Sequence, residues 1–258
     1  MSSATITTSA RLMNFTPQTE EQAMVRKVAV SSFLGNFIEW FDYASYSYFA
    51  TTIALVFFPT DNHTVAMLQT FGVFALSFIL RPIGALFWGS YGDKKGRKAA
   101  LAHSIMFMSG ASFLIGCLPS YSVIGVGAPI LLLLLRMVQG FSASGEYAGA
   151  ATFLGEYAPT SKRGIYCSLI PASTAIGLLA GSTLATLMTA NMNSSAMVGW
   201  GWRVPFLLAG PLGLIVLYIR TKLSDSPVYQ SMNDALESKS AASADGQVVS
   251  KSGMFAPL

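Results

Sequence analysis

Six charged residues stand inside long apolar stretches of this chain: Glu39, Asp42, Arg81, Arg136, Glu146 and Arg203. A charge at mid-bilayer costs free energy and is kept where it faces a protein interior or a polar path. Glu39 and Asp42 are three residues apart and share one helix face. At about 1.5 Å of rise per helical residue they lie near the midplane, at the depth of Arg136. Arg136 is therefore expected to pair with one of them. Two carboxylates facing one guanidinium leave one under-compensated and able to hold a proton, which is the chemistry a proton-coupled carrier needs. A static ion network holding a bundle together is the alternative. Arg81, followed by Pro82, and Glu146 both lie in the cytoplasmic third, where pairing with each other stands beside snorkelling and a purely structural role. Gln139, seven residues before Glu146 on nearly the same face, can hydrogen-bond a polar solute. Arg203, beside Trp200 and Trp202, reads as an interfacial anchor. The run Trp40, Phe41, Tyr43, with Tyr46 and Tyr48, fits either a cation–π box for a quaternary ammonium or ordinary helix packing.

The elements that position these residues follow from composition. Of 258 residues, 11% are charged and 52% apolar, with a mean hydropathy of +0.51. Soluble domains carry about 25% charge, so an ordinary soluble enzyme, a disordered chain and a collagen-like chain are excluded. Six apolar segments stand out, at 31–57, 65–88, 99–118, 124–150, 165–190 and 202–219. They are called spans 1 to 6. Crossing about 30 Å of hydrocarbon takes roughly 20 apolar residues, and in lipid each span must be helical because nothing else satisfies its backbone.

The remaining charges describe topology. The connections 58–64, 119–123 and 191–201 hold no Lys or Arg, whereas thirteen basic residues lie on the opposite side, from Arg11, Arg26 and Lys27 to Lys239 and Lys251. Both termini are expected in the cytoplasm. The net charge of +4 then calls for no nucleic-acid partner. Residues 1–27 read as a cytoplasmic tail, 28–222 as the transmembrane bundle, and 223–258 as a solvated cytoplasmic linker cut short before a second bundle. Cys117 and Cys167 fall at opposite faces of the bilayer, too far apart to bridge. His63 and His103 lack metal-ligand partners, and no Walker, zinc-protease or nucleophile-elbow motif is present. No cofactor and no enzymatic activity are expected.

The segment Gly89-Ser90-Tyr91-Gly92-Asp93-Lys94-Lys95-Gly96-Arg97-Lys98 resembles the signature loop of the major facilitator superfamily, G-x-x-x-D-[RK]-x-G-R-[RK]. Arg136-Met137-Val138-Gln139-Gly140 is similar to its R-x-x-Q-G motif, and Glu156-Tyr157-Ala158-Pro159 through Arg163-Gly164 to its E-x-x-P-x-x-x-R-G motif. Within the superfamily the chain resembles the metabolite:proton symporters, the group of the proline/betaine, α-ketoglutarate, citrate and shikimate carriers. The residues that carry this run from Gly35-Asn36-Phe37-Ile38-Glu39-Trp40-Phe41-Asp42 through Arg81-Pro82-Ile83-Gly84, Gln139-Gly140-Phe141-Ser142, Gly145-Glu146-Tyr147 and Trp200–Phe206 to Ser226-Pro227-Val228-Tyr229.

The resemblance implies an all-α polytopic membrane protein. Its six helices would form one half-bundle built from two inverted three-helix repeats. It implies a cytoplasmic gate of Gly89, Asp93, Gly96 and Arg97 with Glu156 and Arg163, and proton or substrate sites at Glu39, Asp42, Arg81, Arg136, Gln139 and Glu146. The implied activity is proton-coupled import of a small zwitterionic or carboxylate metabolite across a bacterial inner membrane, driven by the proton gradient. The family has twelve helices, so the second half of the cavity would come from a missing carboxy-terminal six-helix partner. The competing reading is a non-transporting membrane fragment or a subunit that requires such a partner.

Overall fold

In the computed structural model, α1 (Thr16–Tyr48) runs 33 residues and α2 (Ala50–Phe57) continues it. The ladder carries across Phe49, whose N–H bonds Ser45 O at 3.0 Å while Ile53 N–H bonds Phe49 O at 2.9 Å. Described residues are 16–225, 229–232 and 234–235; the expected tail up to residue 15 and most of the expected linker lie outside them. Within the described part, residues 16–27 are helical and continuous with span 1.

Span 2 consists of α3 (His63–Ile79) and α4 (Arg81–Lys95). Asn62 starts it, its side-chain oxygen accepting from Thr64 N at 3.0 Å and Val65 N at 3.3 Å, which satisfies two of the amides a helix start leaves open. Pro82 lacks the N–H that would continue the ladder, and the helix breaks at Leu80. Span 3 is α5 (Arg97–Cys117). After the short α6 (Tyr121–Ile124), span 4 is α7 (Gly127–Ala143) and α8 (Glu146–Tyr157), broken at Ser144-Gly145. A 3-10 turn at Thr160–Lys162 and α9 (Arg163–Cys167) lead into span 5, α10 (Leu169–Asn191). Then come α11 (Ser194–Gly199), a second 3-10 turn at Gly201–Arg203, and span 6, α12 (Val204–Thr221).

Spans 2 and 4 extend well past their apolar stretches, so ten residues expected as a loop between spans 2 and 3 are mostly helix. The signature segment is helical to Lys95, and Gly96 alone turns the chain, at φ +95°. Glycine tolerates that backbone; other residues do so at a cost.

Among the described residues, five rods are long and apolar enough to cross a membrane: His63–Lys95, Arg97–Cys117, Gly127–Tyr157, Thr160–Asn191 and Gly201–Thr221. Span 1 is less apolar because it carries Ser31, Ser32, Asn36, Glu39, Asp42 and Ser45, all of them buried within the bundle.

The packing has the symmetry of two inverted repeats. Span 1 packs on spans 5 and 6, span 4 packs correspondingly on spans 2 and 3, and spans 3 and 6 pack on each other. Lipid is as apolar as leucine, so close packing and cross-helix hydrogen bonds must hold these helices together. Small residues supply the packing. Gly177 lets span 5 close on span 1, where a Cβ would stand 2.7 Å from Phe37 O. Gly145 lets span 4 close on Trp88, with a Cβ at 2.7 Å from that side chain's own Cβ. Asn36 bonds across to span 5, donating to Ile170 O at 3.0 Å, Ser173 Oγ at 2.8 Å and Thr174 Oγ1 at 2.8 Å. Apolar clusters close both ends: Phe57, Ile115, Leu132, Trp202 and Phe206 at one, Val28, Leu101, Phe153, Leu154 and Leu223 at the basic one. The polar residues lie between them.

Candidate functional site

Three ion pairs cross the interior, each tying different spans. At the centre, Arg136 of span 4 meets Asp42 of span 1, with Nη1 2.6 Å from Oδ2. Both side chains are buried, at 1% and 3% exposure. Asp42 Oδ1 also accepts from Ser112 Oγ at 2.9 Å and Gln139 Nε2 at 3.1 Å. Gln139 Nε2 donates to Ser112 Oγ as well. This carboxylate thus has three donors from spans 3 and 4, the satisfaction a buried charge requires. Arg136 lies over the Tyr46 ring at 3.8 Å, with Phe206 at 5.5 Å and Phe74 at 6.0 Å. Among the described residues its Nε and Nη2 have no hydrogen-bond partner, nor does Gln139 Oε1 or Ser142 Oγ. Arg136 is therefore neutralised and aromatic-stacked, yet keeps donors free.

Glu39 does not share Arg136. Its Oε1 takes Arg81 Nη2 of span 2 at 2.6 Å, and its Oε2 is buried without a partner. Arg81 also donates to Tyr43 Oη and lies 5.1 Å over the Tyr43 ring and 4.6 Å over Phe78. The expected arrangement of two carboxylates on one guanidinium is thus corrected to one guanidinium each. Glu39 and Asp42 are 3 residues apart, about 300° round the helix, so the face they share is wide enough to meet different neighbours.

The Arg81–Glu146 pairing is also corrected, since Glu146 bonds Arg220 instead. Arg220 Nη1 stands 3.0 Å from Glu146 Oε2 and Nη2 bonds Oε1. Ser104 Oγ donates to Oε2 at 3.1 Å. Arg220 further donates to Leu101 O and, from Nε, to Ser31 Oγ at 3.2 Å. One residue thereby joins spans 1, 3, 4 and 6. Gly35 makes room: a Cβ there would stand 3.1 Å from Glu146 Cδ and nearer still to the two charged groups. Arg220 goes unnoticed in the sequence because it sits one residue beyond the apolar stretch and looks like an ordinary boundary cation. The available signal is Glu146, a buried carboxylate that demands a cation at its own depth.

Arg203 is more than an anchor. Its Nη1 donates to Gly116 O at 2.8 Å and Leu118 O at 2.5 Å, capping the carbonyl end of span 3, and its guanidinium lies 4.5 Å over Trp202. Trp202 is fully buried and Trp200 is exposed. Of the aromatic run, Tyr43 and Tyr46 already hold the protein's own arginines. Tyr48 is exposed, and Trp40 packs edge-on against Tyr43.

At the gate, Asp93 and Arg97 pair across Gly96 at 3.1 Å. Among the described residues neither Glu156 nor Arg163 joins that pair, and Glu156 Oε2 is buried without a partner. Gly89 has open space where a Cβ would go. The start of the linker reaches this same turn. Asp225 accepts from Lys98 N at 3.2 Å, its carboxylate resting against Gly96, and Tyr157 Oη donates to Ser224 O at 3.0 Å and Asp225 O at 2.8 Å. Tyr229 Oη donates to Lys94 O at 3.2 Å.

Known proteins share the sequence and the fold of this chain. The chain is 42% identical over 217 residues to the proline/betaine transporter of Salmonella typhimurium, covering 84% of this chain and 43% of that protein. It is 42% identical over the same length to the glycine betaine/proline/ectoine/pipecolic acid transporter OusA of Dickeya dadantii, again with 84% and 43% covered. The chain thus spans less than half the length of these relatives. Among solved structures it resembles a partially occluded, inward-open form of the xylose transporter XylE from E. coli, with a TM-score of 0.72 at 19% identity, over 82% of this chain and 51% of that one. It also resembles the major facilitator superfamily proton:xylose symporter XylE bound to 6-bromo-6-deoxy-D-glucose, with a TM-score of 0.71 at 18% identity over 81% and 46%. These likenesses establish the fold. The family described as sugar (and other) transporter matches residues 27–252, and the chain belongs to that family of the major facilitator superfamily.

Proposed function

We propose that this chain forms the amino-terminal half of a secondary carrier that imports a small zwitterionic or carboxylate metabolite together with a proton across the cytoplasmic membrane of a bacterium. The observation that carries this is the Asp42–Arg136 pair, buried yet leaving Arg136 Nε and Nη2 unbonded. A proton on Asp42 would cancel its hold on Arg136, and the freed guanidinium would take a substrate carboxylate in a two-point grip. Substrate and proton would then be bound together or not at all. Gln139 offers the solute a further acceptor. Glu39, with Oε2 unbonded, is the second carboxylate able to carry the proton, and Arg81 its counter-ion. The names of the relatives support the substrate class. The basic residues favour both termini in the cytoplasm, with Asp93, Gly96 and Arg97 at the inner gate. A second six-helix bundle would supply the facing half of the cavity, as the length of the relatives suggests.

The test is uptake of proline and glycine betaine by the chain joined to such a half, with Asp42→Asn and Glu39→Gln. Loss of proton-driven accumulation in either variant is expected, and unchanged accumulation in both would sink the assignment.

A further inference from the structure

Most buried serines of this bundle bond a carbonyl one turn back on their own helix: Ser45 to Phe41 O at 2.7 Å, Ser104 to Leu101 O at 3.1 Å, Ser109 to Ile105 O at 2.7 Å, Ser173 to Ile170 O at 2.7 Å. Ser142 is as deeply buried, at 1% exposure, and its hydroxyl makes no such bond. One turn earlier on the same face, Gln139 Oε1 is also buried and unbonded. The orientation of that amide is fixed, because its nitrogen must face the Asp42 carboxylate. Four residues beyond Ser142, across the break at Ser144-Gly145, stands Glu146. Orphaned polar atoms on successive turns of one buried stripe are where internal water is held. The axial steps, about 4.5 Å from Gln139 to Ser142 and about 6 Å from Ser142 to Glu146, each suit one bridging water.

We propose that Gln139, Ser142 and Glu146 line a hydrated proton path from Asp42 towards the basic end of the bundle. It would start at Gln139, beside the Asp42–Arg136 pair, and end at Glu146. The inference rests on Asp42 carrying the transported proton. In the step, the Asp42 O–H bond breaks and its proton passes to the first water. Each water and the Ser142 hydroxyl accepts one proton and hands on another, and a Glu146 oxygen takes the last. Asp42, again anionic, re-forms its pair with Arg136, while Arg220 loosens from the neutral Glu146. The groups facing Glu146 are Arg220 from span 6, Ser104 from span 3 and Gly35 from span 1, with Ser31 of span 1 accepting from Arg220. The next carboxylate towards the midplane is Glu39, also on span 1.

Time-resolved infrared spectroscopy after an acid pH jump tests this on the reconstituted chain. The Asp42 signal is the protonated-carboxyl band that Asp42→Asn removes. It should rise at least about a hundredfold more slowly in Ser142→Ala and in Glu146→Gln, the scale of losing a positioned proton-transfer group. Ser142→Thr, which keeps the hydroxyl, should restore the wild-type rate. Equal rates in wild type and Ser142→Ala, or no Asp42 band at any pH, would overturn the path. Water-edited solid-state NMR of the unmodified chain is the independent check. Polarisation should pass from water to Ser142 Cβ and Gln139 Cδ, and a dry stripe would overturn the path whatever the variants do. Failure of the transport reading would show separately, as accumulation indifferent to Asp42→Asn.

Discussion

Asp42 and Arg136 lie 94 residues apart in sequence and meet with 2.6 Å between carboxylate and guanidinium, on spans 1 and 4, the first helices of the two inverted repeats. A buried pair of this kind binds the repeats together and is also the most sensitive place to cut them. Removing one partner leaves the other charge uncompensated, at a cost of roughly 3–5 kcal/mol, whereas removing both charges leaves nothing stranded. Arg136→Gln should therefore lower the thermal midpoint of the detergent-solubilised chain strongly. Asp42→Asn with Arg136→Gln should recover much of that loss. If the double variant is as unstable as the sum of the singles, the two residues do not act as a pair.

The Glu146–Arg220 pair makes a sharper demand on side-chain identity. Arg220 uses Nε, Nη1 and Nη2 on Ser31, Leu101 and Glu146 at once. Lysine keeps the charge but not the fork, so Arg220→Lys should destabilise nearly as much as Arg220→Ala. Limited proteolysis of the membrane-embedded chain would read this. Resistance of Arg220→Lys equal to wild type would mean that charge alone matters at this position.

How far the sequence foretells this arrangement depends on what each residue must know. Depth along a helix follows from counting residues, and it places Asp42 and Arg136 correctly together. Azimuth does not, because it depends on how neighbouring helices rotate. Arg81 and Glu146 share a depth, but Arg81 turns to Glu39 and Glu146 to Arg220. Helix ends are hidden for a similar reason. The apolar stretch of span 2 ends near Trp88, yet hydrogen bonding continues through charged residues until Gly96 permits the turn. The role of Asp225 had no local signature at all. It touches Lys98, 127 residues away, only because span 6 returns the chain to the foot of span 3.

Close helix approach gives a prediction with an internal control. A Cβ at Gly140 would lie 2.7 Å from the carbonyl carbon of Ser77 and closer to its oxygen, against span 2 backbone that has nowhere to move. At Gly72 a Cβ would meet nothing within 4 Å. Gly140→Ala should cost about 1–3 kcal/mol, the usual price of overpacking. Gly72→Ala should be neutral or slightly stabilising, by up to about 1 kcal/mol from helix propensity. Equal melting of the two variants would mean that spans 2 and 4 are not held at this separation.

Gly96 combines a backbone requirement with a steric one, and the two can be separated. Its φ of +95° disfavours any side chain, and a Cβ would also enter the Asp225 carboxylate, 2.7 Å from its Cγ. The strain alone is of order 1–3 kcal/mol. Asp225→Ala removes the clash but not the strain, and it also removes the carboxylate that accepts from the first turn of span 3, where a negative charge contributes about 0.3–1 kcal/mol. Gly96→Ala should therefore be more destabilising than Asp225→Ala. The double variant should recover only the steric part, ending above Gly96→Ala and below Asp225→Ala in thermal midpoint. Full recovery would assign the glycine to the clash alone. No recovery would assign it to backbone conformation alone and would separate the linker from the turn it covers.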